Sequence, residues 1–466
     1  MAATRPTATL QFDRGTLVLE CDADATTLDL PDAWVFDDRT GRYRATAAAY
    51  REVFAHLHRR AEAGVVELVD QARDYEPLTA PLIGTRTPRP YQREAVEAWQ
   101  DAGRRGVIVL PTGAGKSFVA QMIIAAVDRA TLIVVPTLDL MNQWVDGLLS
   151  ALDIDEIGML GGGSHEVMPI TVTTYDSFHI HATRYGNRFG LLVFDECHHL
   201  GGPTYLEATK AMLAPFRLGL SATPERQDGR EELLEPAIGP IVYRKHIKEL
   251  TGGFLADYDV EQVTVTLNEE ELKIYTDARA TYISFIRSSG IRFSQPDGWS
   301  QFIIQSSRTS DGRRAMKAYQ LQRRIALTCR QKLLLVERLL ARHARDRVII
   351  FTNDNDTVYE ISRRLLVPAL THQTPIKERR ELLQRFNDGT YPALVTAKVL
   401  NEGVDVPEAR VAIILSGSGS VREHVQRLGR VLRKSADKRA LLYEVITRDT
   451  VEESVSERRR EHDAYR

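Results

Sequence analysis

The stretch GVIVLPTGAGKSFVAQMIIAAV, residues 106–127, decides the fold. Val107 to Leu110 are apolar without polar alternation, the pattern of a strand buried on both faces. Phe118 to Val127 reads as an apolar helix. Between them, LPTGAGKS (110–117) is a glycine turn, and strand, glycine turn, helix is the context that a phosphate-binding loop requires. Gly113 and Gly115 let backbone N–H groups close on phosphate oxygens, and the helix N-terminus adds its partial positive charge. Pro111, Thr112 and Ala114 line the same loop. Lys116 would reach the β- and γ-phosphates of ATP, and Ser117 would hold Mg²⁺. The strict pattern G-x-x-x-x-G-K-[ST] asks for glycine at 110, where the chain has Leu110.

The alternation extends outward. From about 85 to 245 the runs GVIVL, TLIVV, ITVTTY, LLVF, LGLSA and IVYR are separated by longer amphipathic stretches, the signature of parallel βαβ units. A second series, RVIIF, PALVTA, VAIIL and ALLYEVI, begins near 345. The fold class expected is α/β, with two doubly wound parallel-sheet domains in tandem. Residues 1–80 hold nine arginines, no lysine and fourteen Asp or Glu, a local charge of −5 that argues against nonspecific phosphate binding. Short strands (GTLVLEC, AWVFDD) followed by a helix make this segment a small α+β module. Between the two α/β series, two helical stretches flank the polar segment SSGIRFSQPDGWSQ. Residues 311–347, Arg313 and Arg314 among them, carry eleven Lys or Arg against three acids, which reads equally as one solvated helix face. The boundaries expected are an N-terminal module at 1–82, α/β domains at 83–252 and 344–466, and a helical basic insert at 253–343.

LLVFDECHH (191–199) places Asp195 and Glu196 at the C-terminal end of a buried strand, the edge at which open α/β sheets bind ligands. Asp195 suits the shell of Mg²⁺, and Glu196 can orient and deprotonate an attacking water. His198 could link this pair to a second site. The whole chain of 466 residues has a net charge of −2 and three cysteines, Cys21, Cys197 and Cys329, spaced for neither disulfides nor a metal site. The N-terminus lacks an apolar signal region, and no apolar run approaches the ~18 residues of a spanning helix. A soluble, cytoplasmic protein without a membrane partner is expected.

In chain order, Lys116, the DECH box and SAT (221–223) resemble motifs I, II and III of the superfamily 2 helicases, whose motors are paired RecA-like domains. The usual motif I there is x-P-T-G-x-G-K-[ST], which accommodates Leu110. TPRPYQREAV (87–96) is similar to the segment that recognises adenine, implying Gln92 for the base and Arg89 stacked on it. Ser221 and Thr223 are then the elements that couple nucleotide to motor, bonding across to the DECH strand. VVPTLDLMNQW (134–144) and TVTTYDS (171–177) sit where motifs Ia and Ib grip phosphates, implying Thr137 and Thr174. VIIFTNDNDT (348–357) resembles motif IV, and ALVTAKVLNEGVDVPEA (393–409) resembles motif V, implying Gly403 and Asp405 on nucleic-acid backbone and ribose. QRLGRVLR (426–433) resembles motif VI, implying Arg430 and Arg433 as fingers on the γ-phosphate with Gln426 beside them.

SATPERQDGRE (221–231) narrows the resemblance to the XPB family, in which motif III runs into an Arg-Glu-Asp element. Arg226 and Asp228 match it, and Gln227 replaces the glutamate. The triplet implies a wedge where DNA strands part. The basic insert resembles the family's helical thumb, and residues 1–82 occupy the slot of its damage-recognition module. The resemblance implies an ATP-dependent, 3′-to-5′ DNA helicase acting on single-stranded or forked DNA in repair or transcription, and leaves open either a nuclease partner protein or a place in a transcription–repair complex. Two other readings stay open: a double-stranded DNA translocase of a restriction or defence system, and an ATP-gated scaffold that binds DNA without unwinding it. The sequence holds no nuclease-like carboxylate cluster with a supporting lysine.

Overall fold

The computed structural model describes residues 5–22, 28–75, 77–84, 86–224, 230–250, 257–293, 295, 297–397, 409–415 and 439–453. The chain forms two compact units, residues 1–246 and 247–466.

The first unit opens with a five-stranded sheet: β1 (Thr7–Asp13), β2 (Thr16–Cys21), β3 (Val35–Asp37), β4 (Arg42–Thr46) and β5 (Glu67–Gln71), in the order β3-β4-β2-β1-β5. Asp13 pairs with Thr16, so the β1–β2 hairpin turns on two residues. Arg14 (φ 44°) and Gly15 (φ 93°) both adopt the positive φ that such a turn needs. Tyr50, Val53 and Leu57 of the helix Tyr50–Glu62 are buried in this module's core, and so is Leu213, which lies far along the chain. Asn187 ties the same module down: its Nδ2 donates to Ala72 O at 2.9 Å and its carbonyl accepts from Asp74 N at 2.9 Å.

The second sheet of the unit has eight strands: β6 (Arg105–Val109), β7 (Thr131–Val135), β8 (Gly158–Gly161), β9 (Ser164–His165), β10 (Ile170–Thr174), β11 (Leu191–Asp195), β12 (Phe216–Ser221) and β13 (Ile241–Arg244). Their order is β13-β6-β12-β11-β7-β10-β8-β9. All neighbours run parallel except β8 and β9. Every residue of β7, β10 and β11 is buried, as unalternated apolar runs require when helices cover both faces.

One side chain closes the far end of this sheet. Arg217, 1% exposed, donates to Met212 O (2.8 Å), Thr209 O (3.1 Å), Ala237 O (2.6 Å) and Ala214 O (3.4 Å). Its partners are backbone carbonyls, and burial lowers its pKa to about 9.

The second unit is built on β14 (Asp257–Val265), β15 (Val348–Phe351), β16 (Ala369–Leu370), β17 (Ala393–Thr396), β18 (Val411–Ile414) and β19 (Arg439–Thr447), in the order β14-β19-β18-β15-β17-β16 and parallel throughout. The two RecA-like parallel sheets expected from the sequence are therefore both present. Among the described residues no helix is long and apolar enough to cross a membrane.

The segment 253–343, read as an insert, is one only in its middle. Its start, β14, is the edge strand of the second sheet, where Val263 and Val265 pack inward. A strand with one half-buried face carries little hydrophobic signal, so it passed for a linker. Its end, the helix Arg330–Arg342, puts Leu333, Val336 and Leu339 into the core of the second sheet. The middle is three helices, Glu269–Ser288, Gly298–Arg308 and Ser310–Leu327. The second of these occupies a stretch that reads as polar linker. It forms because Phe302 is fully buried among Tyr282, Phe285, Phe293, Trp299 and Tyr319, with ring centroids 5.4–6.3 Å away.

The basic run is likewise not one solvated face. Lys332 is completely buried, and its Nζ donates to Glu452 Oε2 (2.6 Å) and to Leu415 O (2.6 Å). The same Glu452 oxygen accepts from Thr447 N at 2.9 Å. Arg313 and Arg314 do lie on the exposed side of their helix, with Arg314 3.3 Å from Asp311.

Arg217→Ala strands four carbonyls that one guanidinium now serves, and denaturant unfolding should show a loss of about 3–5 kcal/mol in the first unit. Lys332→Met should cost the second unit about 3–5 kcal/mol by leaving a buried carboxylate unpaired, and adding Glu452→Leu should restore most of it. A double variant no more stable than the single one would mean that the pair's geometry, not its charge balance, is what the core needs.

Candidate active site

Five parallel strands of the first unit end side by side. Val109 pairs with Ser221, Leu220 with Asp195, Phe194 with Val134, and Val135 with Thr174. The chain therefore leaves β6, β12, β11, β7 and β10 along a single edge, carrying Lys116, Thr223, Glu196, Thr137 and Tyr175 respectively.

The glycine loop has the conformation its sequence asks for. Gly113 (φ 84°) and Gly115 (φ 82°) are left-handed, which glycine adopts without steric cost. A Cβ at 115 would sit 2.6 Å from Gln92 Nε2. The loop is braced from behind: Ala114 O accepts from Tyr91 OH (2.7 Å) and from Gln92 Nε2 (3.0 Å). Gln92 Oε1 accepts from Arg89 N at 3.0 Å, and Arg89 Nη1 donates to Tyr91 OH at 3.1 Å. Gln92 is 2% exposed, and these bonds use one N–H and one oxygen lone pair of an amide that offers two of each. Pro111 and Ala114 are buried, whereas Ser117 is exposed on the first turn of the helix Lys116–Val127.

Behind the loop the charged groups meet. Lys116, its side chain 10% exposed, donates to Leu110 O at a long 3.4 Å and lies 4.0 Å from Glu196 Oε1. Asp195 Oδ2 accepts from Trp144 Nε1 (2.8 Å), and Oδ1 accepts from Glu196 N (2.9 Å). Burial, and next the Glu196 carboxylate, push the Asp195 carboxyl up to about 6, with Lys116 opposing. Glu196 itself takes a left-handed φ of 47°, a strained backbone of the kind that clusters at functional sites. Its Oε2 lies 3.5 Å from His198 Nδ1, which is also 3.2 Å from Ser221 Oγ. Ser221 Oγ in turn accepts from Thr223 N at 3.1 Å. A continuous path thus joins the DECH strand to the SAT strand.

The pocket suits a polyphosphate with a divalent ion. Thr112 Oγ1 and Thr223 Oγ1 are buried with no hydrogen-bond partner among the described residues, and a buried hydroxyl left so costs about 1–3 kcal/mol. Among the described residues the ammonium of Lys116 has only the two long contacts above. These are groups arranged for an anion, and Ser117 and Asp195 supply the hard oxygen donors that Mg²⁺ prefers.

Thr137 and Thr174 lie on the same edge as helix N-caps. Thr137 Oγ1 accepts from Leu140 N (3.2 Å), and Thr174 Oγ1 accepts from Ser177 N (3.3 Å) and donates to Ser177 Oγ (3.1 Å). Their hydroxyls are thus committed, and a phosphate there would meet the N–H groups of the helix ends. Arg313 and Arg314 belong to the second unit. Arg226, Gln227, Asp228, Gly403, Asp405, Gln426, Arg430 and Arg433 lie outside the described residues.

Sequence reading missed Tyr91, Trp144 and Tyr175, each of which bonds to a site residue. All three stood inside stretches already singled out, but an aromatic ring in an apolar run reads as core. Arg86 was also missed. Its guanidinium lies 4.1 Å from the Phe118 ring, and burial together with Arg89 lowers its pKa.

Residues 85–226 match the family "Type III restriction enzyme, res subunit", residues 331–435 the "Helicase conserved C-terminal domain", and residues 10–70 the "Xeroderma pigmentosum group B helicase damage recognition domain". The solved helicase domain of Pyrococcus furiosus Hef aligns with a TM-score of 0.54 over 79% of this chain and 97% of its own, at 19% identity, and so shares the fold. A "DNA 3'-5' helicase XPB" of Kineococcus radiotolerans is 34% identical over 384 residues, 80% of this chain and 62% of the relative, so the chain spans about three-fifths of that protein. A "DNA 3'-5' translocase XPB2" of Sulfurisphaera tokodaii is 40% identical over 439 residues, 93% of this chain and 98% of the relative. With that identity along nearly the whole length of both, the chain belongs to the XPB family of DNA helicases and translocases.

Proposed function

We propose that the edge formed by β6, β12, β11, β7 and β10 is the working face of a DNA-dependent ATPase that moves 3′ to 5′ along DNA and opens a fork. One observation carries this reading: the phosphate loop, the DECH carboxylates and two helix N-termini suited to phosphate emerge from adjacent, in-register strands. When bound, ATP and Mg²⁺ supply the scissile phosphoanhydride and the divalent charge that withdraws electrons from it. Lys116 would bind the phosphate oxygens, and Ser117 and Asp195 would hold the metal. Glu196, released from Lys116, orients the attacking water and takes its proton. His198 and Ser221 carry the change to the SAT strand and on toward residues 225–229.

Arg430 and Arg433 as γ-phosphate fingers, Gln426 and Asp405 near the nucleotide, and Gly403 with Arg313 and Arg314 on DNA backbone belong to the same proposal, on sequence alone. So do Arg89 and Gln92 at the base and the nuclease partner. Backbone contacts carry no base information, so movement should be independent of sequence and sensitive to salt. The word translocase in the name of the Sulfurisphaera relative favours movement along DNA, and the second reading takes that movement to be on duplex DNA without unwinding. Displacement of a triplex strand without unwinding of a forked duplex would select it.

Glu196→Gln should lower DNA-stimulated phosphate release by about 10²–10⁴-fold while nucleotide still binds; an unchanged rate would show that another group is the base. Arg226→Ala should impair unwinding of a forked duplex several-fold more than it impairs phosphate release. Equal losses in the two assays would make residues 226–228 a surface turn rather than a wedge.

A further inference from the structure

The two helix ends assigned above to DNA converge on one aspartate. Thr137 caps the helix Leu138–Ala151, and from that helix Trp144 Nε1 donates to Asp195 Oδ2 at 2.8 Å. Thr174 caps the helix Tyr175–Tyr185, and from its first residue Tyr175 OH donates to Asp195 O at 3.0 Å. Trp144 and Tyr175 are each 3% exposed and Asp195 5%. A buried indole or phenol usually finds an acceptor, and the ends of a parallel sheet offer many carbonyls. Here both choose the same residue, one holding its side chain and the other its backbone.

The consequence is mechanical. Glu196 N already fixes Asp195 Oδ1 at 2.9 Å, so the indole completes a two-sided hold that sets the rotation of the carboxylate. A bond to an ionised acceptor is among the stronger ones in a protein interior. The interior is densely packed and transmits displacement rather than absorbing it. A shift of either capped helix end therefore reaches Asp195 through one side chain. Phenylalanine in place of Trp144 would leave an apolar ring near Asp195 and no donor.

We propose that Trp144 and Tyr175 are positioning residues that report DNA occupancy of the Thr137 and Thr174 helix ends to Asp195, so that DNA sets the site's affinity for divalent metal. The inference rests on the proposed function, which supplies DNA at those helix ends and metal at Asp195. Because coupling free energy is reciprocal, metal and nucleotide would equally set the affinity for DNA.

The test reads metal binding rather than turnover. Mn²⁺ is titrated by electron paramagnetic resonance into the full chain with ADP, with and without a single-stranded oligonucleotide, and DNA binding is followed separately by anisotropy. In the wild type, DNA should raise Mn²⁺ affinity by about 5–150-fold, the usual span for coupled sites. Trp144→Phe and Tyr175→Phe should each keep DNA affinity in the absence of metal and ADP, while the DNA-induced gain falls several-fold. Leu148→Ala, a cavity variant on the same helix at a fully buried position, should leave the gain in place. The inference is overturned if the two aromatic variants retain the full gain, or if Leu148→Ala abolishes it as completely as they do. Wild-type protein that binds DNA but shows no change in Mn²⁺ affinity overturns the inference alone. Wild-type protein that binds no DNA overturns the proposed function as well.

Discussion

Everything at the candidate site depends on parallel, in-register pairing of β6, β12, β11, β7 and β10. Parallel strands need crossover helices, and a sheet so covered can place all its outgoing loops at one edge only. Segments separated by more than a hundred residues, such as Lys116 and Ser221, become neighbours without any long-range contact designed for that purpose. The hydrogen bond from Leu110 N to Ser221 O, 3.1 Å, extends the ladder beyond the strands and joins the start of the phosphate loop to the SAT element. Chemistry then needs only the right residue at each strand end.

Much of the fold was legible because double burial leaves a plain trace. TLIVV, LLVF and RVIIF could hardly be anything but strands of covered parallel sheets, and all became so. Where burial is one-sided the trace fades. β14 shows two inward valines among polar residues, and its membership in the second sheet is settled by nine paired residues of β19 from the other end of the unit. The helix Gly298–Arg308 is similar. Its sequence opens with a Gly-Trp-Ser turn signal, and only the aromatic cluster around Phe302, gathered from three helices, makes it form. Such contacts are tertiary, and local propensity yields to them.

At the site, the residues legible in the sequence were those whose chemistry demands an uncommon type at fixed spacing: two glycines and a lysine, then two adjacent carboxylates. Their supports were not legible. Tyr91 and Gln92 brace a backbone carbonyl, and Trp144 and Tyr175 hold one aspartate, through bonds that exist only once four separate strands are aligned. An aromatic residue in an apolar stretch looks the same whether its polar atom serves a catalytic group or merely finds a carbonyl. Lys332 shows the converse, since a lysine in a basic run looked solvated and is instead an internal tie.

Buried charges fall into two kinds here, and the difference locates function. Arg217 makes three hydrogen bonds of 2.6–3.1 Å and a fourth at 3.4 Å, and Lys332 makes two of 2.6 Å, so both serve the fold. Lys116, Asp195 and Glu196 are largely buried with less: an ammonium at 3.4 Å and 4.0 Å from its acceptors, a carboxyl raised by burial and then by its neighbour, a glutamate on left-handed backbone, and hydroxyls at Thr112 and Thr223 with no partner among the described residues. Each of these costs free energy that a folded domain has no reason to tolerate unless something else relieves it. Under the proposed function a polyanion with a divalent cation would relieve them together, giving Lys116 a phosphate, Asp195 a counter-charge and the hydroxyls acceptors. Binding would therefore stabilise this arrangement, and hydrolysis of the bound nucleotide followed by loss of its products would supply the free energy of each cycle.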